Sequence, residues 1–225
     1  MEFKTIQNNY LKVKKPLIWG DDECDFMKNN FPYRITFDRN IKRDILRYAL
    51  IMDKDKCIID AGGHIGDGAV AFAHTLREIG REDIFVYAIE PEKYKCDFIE
   101  KIKELNKLEN LVVINCGLSD KEGTYKKIEV KGKNTGSTNF EEGDGFNFTT
   151  LDNLKKDGII THDVGIIHYD LEGMEQIALD GSLNILKTDK PYLSCENHKR
   201  AKGKKTKRKK KIYIIFQKDI IILKS

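Results

Sequence analysis

The chain has 225 residues, which one α/β domain or at most two small ones can fill. Its 40 Lys plus Arg and 36 Asp plus Glu give a net charge of +4, but the positive charge is concentrated. Ten basic side chains and no acid lie between Lys199 and Lys211, which leaves the remaining body with 30 basic against 36 acidic residues, or −6. An apolar fraction of 40% excludes wholesale disorder, and an acidic body excludes one large surface built to grip nucleic acid. No run approaches the roughly 18 apolar residues that cross a bilayer.

Residues 1–38 carry no clear pattern, and their start, MEFKTIQNNYLKVKK, lacks the apolar stretch of a secretory signal. A cytoplasmic location is therefore expected. Ile41, Ile45, Leu46, Ala49 and Leu50 predict a helix over 40–52. Continuous apolar runs at 56–60, 84–90, 111–118, 164–171 and 191–196 predict strands buried on both faces of a parallel sheet. Cys57, Cys116 and Cys195 fall inside these runs and read as small apolar residues. Between the runs, helical patterns cover 67–79, 93–105 and 174–186; in the second, Phe98, Ile99, Ile102 and Leu105 recur at helical spacing. Such alternation predicts right-handed crossovers and an α/β fold with a doubly wound, mostly parallel sheet. A further strand is expected at 124–130. The polar, Gly-rich interval 131–146 reads as a functional loop or lid.

The first strand ends in Asp60 and runs into Ala61-Gly62-Gly63-His64-Ile65-Gly66. Glycines at a strand-to-helix turn let backbone approach a ligand closely. The spacing D-x-G-x-x-x-G differs from the G-x-G-x-x-G of dinucleotide binders, and Asp60 would repel a pyrophosphate. Glu90 ends the second strand, 24 residues after Gly66, where a carboxylate can accept both hydroxyls of a ribose. The pair points to a nucleoside ligand without phosphates, and S-adenosylmethionine fits.

The order IIDAGGHIGD, YAIEPE, VINCGLSD, TTLDNL, GIIHYDLEGMEQIALDG, PYLSCENH resembles the FkbM-type methyltransferases over about residues 56–198. Its most specific part is Asp170-Leu171-Glu172-Gly173-Met174-Glu175 with Gly181 behind it; Gly136-Ser137-Thr138 and the element at 150–154 add to it. The resemblance implies a Rossmann-like class I methyltransferase that uses S-adenosylmethionine to methylate a hydroxyl of a sugar, glycan or small molecule. It implies that Asp60, Gly62, Gly63 and Gly66 line the methionine side and Glu90 the ribose. Asn115, Gly117 and Ser119 would border the adenine. Asp170 and Glu172 would face sulfonium and acceptor, with Glu196 and His198 beside the acceptor.

Methyl transfer to a hydroxyl needs alignment, which can supply roughly 7–11 kcal/mol, and a base, worth about 10²–10⁴-fold. His198 is the expected base because it lies beyond its strand; His168 lies deeper and reads equally as a core histidine. Asp170, Glu172 and Glu196 could bind a divalent cation, but no dedicated ligand spacing appears, so no metal site is assigned. His64 reads as a bystander, and His74 and His162 as surface residues.

The expected division is an N-terminal helical or irregular cap (1–55), a cofactor-binding methyltransferase domain (56–198), and a basic tail ending in a hairpin (199–225). Two readings of the tail stand side by side. Its apolar runs at 212–216 and 220–223 complete the sheet, or the tail is aberrant low-complexity sequence and the C-terminal sheet edge stays incomplete. Three further readings compete with the enzyme. A nicotinamide-dependent oxidoreductase is disfavoured by Asp60 and the missing third glycine. A nucleic-acid-associated protein would act only through Lys199 to Lys211. The last is a cofactor-binding remnant without turnover.

Overall fold

The computed structural model describes residues 3–7, 16–20, 40–128, 139–195, 211–216 and 219–224. Two antiparallel strands, β1 (Phe3–Gln7) and β2 (Pro16–Gly20), precede helix α1 (Asn40–Ile51). Then follow β3 (Lys56–Ala61), α2 (Ala69–Glu78), β4 (Phe85–Ile89), α3 (Lys93–Asn106) and β5 (Leu111–Ile114). The chain next forms β6 (Gly117–Leu118), β7 (Gly123–Ile128), β8 (Asn139–Glu142) and β9 (Phe146–Thr149). It continues through α4 (Leu151–Lys156), β10 (Asp163–Tyr169), α5 (Glu175–Asp180), α6 (Leu183–Thr188) and β11 (Tyr192–Cys195). The last elements are β12 (Lys211–Phe216) and β13 (Asp219–Lys224).

The central sheet has the order β11-β10-β3-β4-β5, and every neighbouring pair is parallel. This is the doubly wound α/β architecture that the alternating apolar runs imply. Side chains alternate across each strand, so the two faces collect different partners. Ile58, Val86 and Ile166 pack with Ile45, Phe72 and Ile99 of α1–α3 on one face. On the other, Ile59, Tyr87 and Ile167 pack with Leu154, Ala178 and Ile185 of α4–α6. Cys57 and Cys195 are buried in this second layer, and burial pushes the Cys195 thiol up to about 12.

Leu17 and Trp19 of β2 belong to the first layer, where the Trp19 ring lies 5.6 Å from that of Phe98. The Asn106 side chain grips the Ile18 backbone on both sides, accepting from its N–H at 2.7 Å and donating to its carbonyl at 2.7 Å. Residues 16–20 are thus tied to the end of α3, although the sequence of 1–38 shows no pattern.

Several expectations are corrected. The run 111–118 is not one strand: it breaks at Asn115-Cys116, and Gly117-Leu118 joins a second sheet of order β6-β9-β7-β8. Cys116 is therefore buried between strands rather than within one. The described part of the expected loop at 131–146 supplies β8 and the start of β9 to that sheet; 131–138, with Gly136-Ser137-Thr138, lie outside the described residues. The single helix expected at 174–186 is two, broken at Gly181-Ser182. His74 is buried at 1% exposure, because eight consecutive residues of α2 are covered. His162 is half-buried, stacked on Phe85 with ring centroids 4.4 Å apart. β12 and β13 form the expected hairpin, but as a ladder of their own.

Candidate functional site

Ligands in an open α/β sheet bind outside the carboxyl ends of the strands. Here the ends of β3, β4 and β10 meet an open pocket. Its lining joins two sources. The parallel sheet contributes Gly62, His64, Glu90, Pro91, Lys95, Asp170 and Glu172; the second sheet contributes Gly117, Leu118, Phe140 and Phe148. Leu171 and Met174 close the floor between them.

The glycine turn is pinned by backbone. Gly62 and Gly63 both donate their N–H to the Ile89 carbonyl at 3.0 Å, and Asp170 donates to the Ala61 carbonyl at 3.0 Å. Gly62 has φ +84°, and a Cβ there would lie 2.0 Å from the Asp170 carbonyl oxygen. Only glycine lets the ends of β3 and β10 come this close.

Glu90 is 4% exposed, and both its oxygens accept N–H donors. Oε2 takes His64 N–H at 2.9 Å and Oε1 takes Glu92 N–H at 3.1 Å. Burial pushes its carboxyl above the ordinary range; the Lys95 ammonium opposes this, with Nζ 3.7 Å from Oε1. Asn115 donates to the Glu90 and Pro91 carbonyls at 3.0 and 2.9 Å, so it holds the loop after β4 rather than entering the pocket.

The turn after β10 is organised by Glu175. Its carboxylate accepts from Leu171 N–H at 3.2 Å and from Gly173 N–H at 3.1 Å. Glu172 is held at φ +50° between them, half-buried at the pocket with Asp170. Left-handed backbone at a non-glycine residue is costly and is often retained at ligand sites. His64, φ +48°, is a second such residue in the lining, so it is not a bystander to the pocket.

Other expected residues lie elsewhere. Asp60 is buried on the α1–α2 face, with Oδ2 against Gly68, and stands beside His168 in the β3–β10 register. Burial raises its carboxyl, and the nearby His168 and then Lys42 oppose that rise. Gly66 packs against Val70 and Ile99. Ser119 is fully buried, sharing a 2.7 Å hydrogen bond with the Tyr125 hydroxyl. Glu196 and His198 lie outside the described residues. Among the described residues, no group of three or more His, Cys, Asp or Glu side chains could hold a metal ion.

Sequence reasoning missed Lys95, the aromatic wall and Glu175's role as a turn organiser. The alternation Phe146-Asn147-Phe148-Thr149 was a period-2 strand signal inside a segment dominated by Gly and Glu. Lys95 had no signal, since on a helix rich in Lys and Glu it looks like one more solvated charge.

The pocket therefore presents three carboxylates, one ammonium and an apolar wall at the rim of a parallel sheet. That donor set suits hydroxyl donors and a cationic group, and it sits at the strand ends of a Rossmann-like fold. The chain belongs to the FkbM methyltransferase domain family, whose model matches residues 60–218. It is similar to the crystal structure of methyltransferase FkbM from Methylobacillus flagellatus KT, at 17% identity and a TM-score of 0.47, over 76% of this chain and 44% of that one. A second similar structure is coclaurine N-methyltransferase bound to N-methylheliamine and SAH, at 15% identity and a TM-score of 0.27, over 35% of this chain and 24% of that one. This chain thus spans less than half the length of the first. No curated protein matches it.

Proposed function

We propose that the chain is an S-adenosylmethionine-dependent methyltransferase acting on a hydroxyl of a sugar, glycan or other small molecule, in the cytosol. The observation that carries this reading is Glu90. It is a buried carboxylate at the end of β4, its oxygens fixed by two backbone N–H groups, beside the glycine turn. A carboxylate so placed accepts ribose hydroxyls, each charge-assisted bond being worth about 1.5–3 kcal/mol. Asp170 and Glu172 give the other end of the pocket negative charge, suited to a sulfonium. Phe140, Phe148 and Leu118 offer an apolar wall to a ring.

When bound, the cofactor supplies an electrophilic methyl group. The protein's part is to align the acceptor hydroxyl and take its proton. Asp170 and Glu172 are the pocket carboxylates available for this, and His198 and Glu196 remain our candidates from the segment after β11. Nucleic acid as a partner would depend on the block from Lys199 to Lys211 alone.

Calorimetric titration of the full chain with S-adenosylmethionine and, separately, NADH tests the reading. Binding of S-adenosylmethionine alone is expected; NADH binding without it overturns the proposal. Glu90→Ala is expected to weaken S-adenosylmethionine at least about tenfold, the loss of a single charge-assisted bond. An unchanged affinity removes Glu90 from the ribose site.

A further inference from the structure

Glu90 and Glu92 are two residues apart, and each is 4% exposed. Two carboxylates this close and this dry do not both ionise unless positive charge is brought to them. Two lysines bring it. Lys95, itself 3% exposed, places Nζ 2.5 Å from Glu92 Oε1 and 3.7 Å from Glu90 Oε1. Lys127, reaching across from β7, places Nζ 2.8 Å from Glu92 Oε2. Four groups of balanced charge thus run from the pocket to the second sheet.

The hydrogen bonds on Glu90 favour its charged form. Each oxygen receives a backbone N–H on one of its lone pairs, and a donor so placed stabilises the negative charge. A ribose hydroxyl also needs an acceptor. Glu90 meets these demands best as a carboxylate, whose remaining lone pairs all accept.

We infer that Lys95 is a positioning residue which, shared between Glu90 and Glu92, keeps Glu90 ionised so that it can accept the ribose hydroxyls. Lys95 does this by supplying charge beside Glu90 within the same pocket lining. The inference rests on the proposed S-adenosylmethionine site. It is consistent with the opposite behaviour of the two acids. Burial raises Glu90 despite Lys95, whereas for Glu92 burial is outweighed by Lys95 and Lys127 together, which hold it below the ordinary range. Of the other titratable groups nearby, Cys96 Sγ donates to the Glu90 carbonyl at 3.1 Å, and His64, Asp170 and Glu172 line the same pocket.

The test is S-adenosylhomocysteine affinity, by calorimetry on the full chain, from pH 5.5 to pH 8. Lys95→Met should weaken binding about tenfold or more near pH 6 and recover most of it by pH 8, because Glu90 then ionises only at higher pH. Glu92→Gln should do the reverse and hold affinity to lower pH than wild type, since Lys95 then serves Glu90 alone. Glu90→Gln should bind weakly with the pH dependence gone, which separates Glu90 from His64 and Asp170. An even loss at every pH for Lys95→Met overturns the inference, as does an unaltered profile for Glu92→Gln. If Lys95→Met does not fold, the Glu92→Gln profile decides. Absence of binding by the wild-type chain overturns the cofactor site itself and this inference with it.

Discussion

At the scale of single residues, close approach explains two glycines of the family-like motifs, and it does so differently for each. A Cβ on Gly62 would lie 2.0 Å from the Asp170 carbonyl oxygen, and one on Gly181 would lie 2.0 Å from that of Ser119. The contacts match, but the backbones do not: Gly62 has φ +84° and Gly181 has φ −83°. Gly181→Ala should therefore show the overpacking cost alone, about 1–3 kcal/mol. Gly62→Ala should add the left-handed penalty, about 1–2 kcal/mol more. Urea denaturation of both variants checks the difference; equal losses would mean that the conformation at Gly62 is not what selects glycine. Gly181 shows how a sequence signal can be real and misplaced. It reads as part of a chemical signature, yet its place is a backbone contact between the end of α5 and the exit of β6.

The same distinction holds for elements. The T-L-D segment at the start of α4 looks like a site motif, but its polar side chains cap helices. Thr150 Oγ1 accepts from Asn153 N–H at 2.9 Å. Asp152 reaches the neighbouring helix and accepts from Asn184 N–H at 2.8 Å and Ile185 N–H at 2.9 Å. A six-residue helix such as α6 has few internal bonds, so its first free N–H groups weigh heavily. Asp152→Ala should cost about 0.5–2 kcal/mol in urea denaturation, without changing S-adenosylmethionine affinity beyond twofold or so. A large fall in affinity would return Asp152 to the site. The parallel sheet and its helices were legible because buried strands read as unbroken apolar runs and α3 shows a clear apolar stripe. The second sheet was not. β7 and β9 alternate faces and turn polar side chains outward, as in Gly123–Ile128, where only Tyr125 is buried. In a segment rich in Gly, Glu and Asp that alternation is easily taken for a loop. Of the pocket, its charged half could be read from strand ends; its aromatic half could not, since it depends on strands pairing across some thirty residues.

For the whole molecule, pH acts through two opposed sets of buried acids. Burial raises Asp60 and Glu90, so their contribution to stability is complete below the ordinary carboxylate pKa and is lost as pH rises through their raised values. Asp189 is the reverse. Burial would raise it, but Lys155 at 2.5 Å, with Val164 N–H and the Thr188 hydroxyl, outweighs burial and holds it low. Its contribution is present above the ordinary Asp pKa and is lost as pH falls through the lowered value. Asp60→Asn, which keeps the shape beside Gly68 and removes the charge, should therefore gain urea stability relative to wild type as pH rises from about 4 to 7. Asp189→Asn should lose stability relative to wild type over the same rise. Parallel curves for Asp60→Asn and wild type would mean that Asp60 titrates alike in the folded and unfolded chains.

The division of the pocket between two sheets has an evolutionary corollary. Glu90, Gly62 and Asp170 are anchored by the parallel sheet's own ladder, while Phe140 and Phe148 stand on strands inserted between β5 and β10. Mutations in the insert can reshape one wall while the opposite wall keeps its register. A fold wired this way can drift in what it accepts without rebuilding the wall that the parallel sheet supplies.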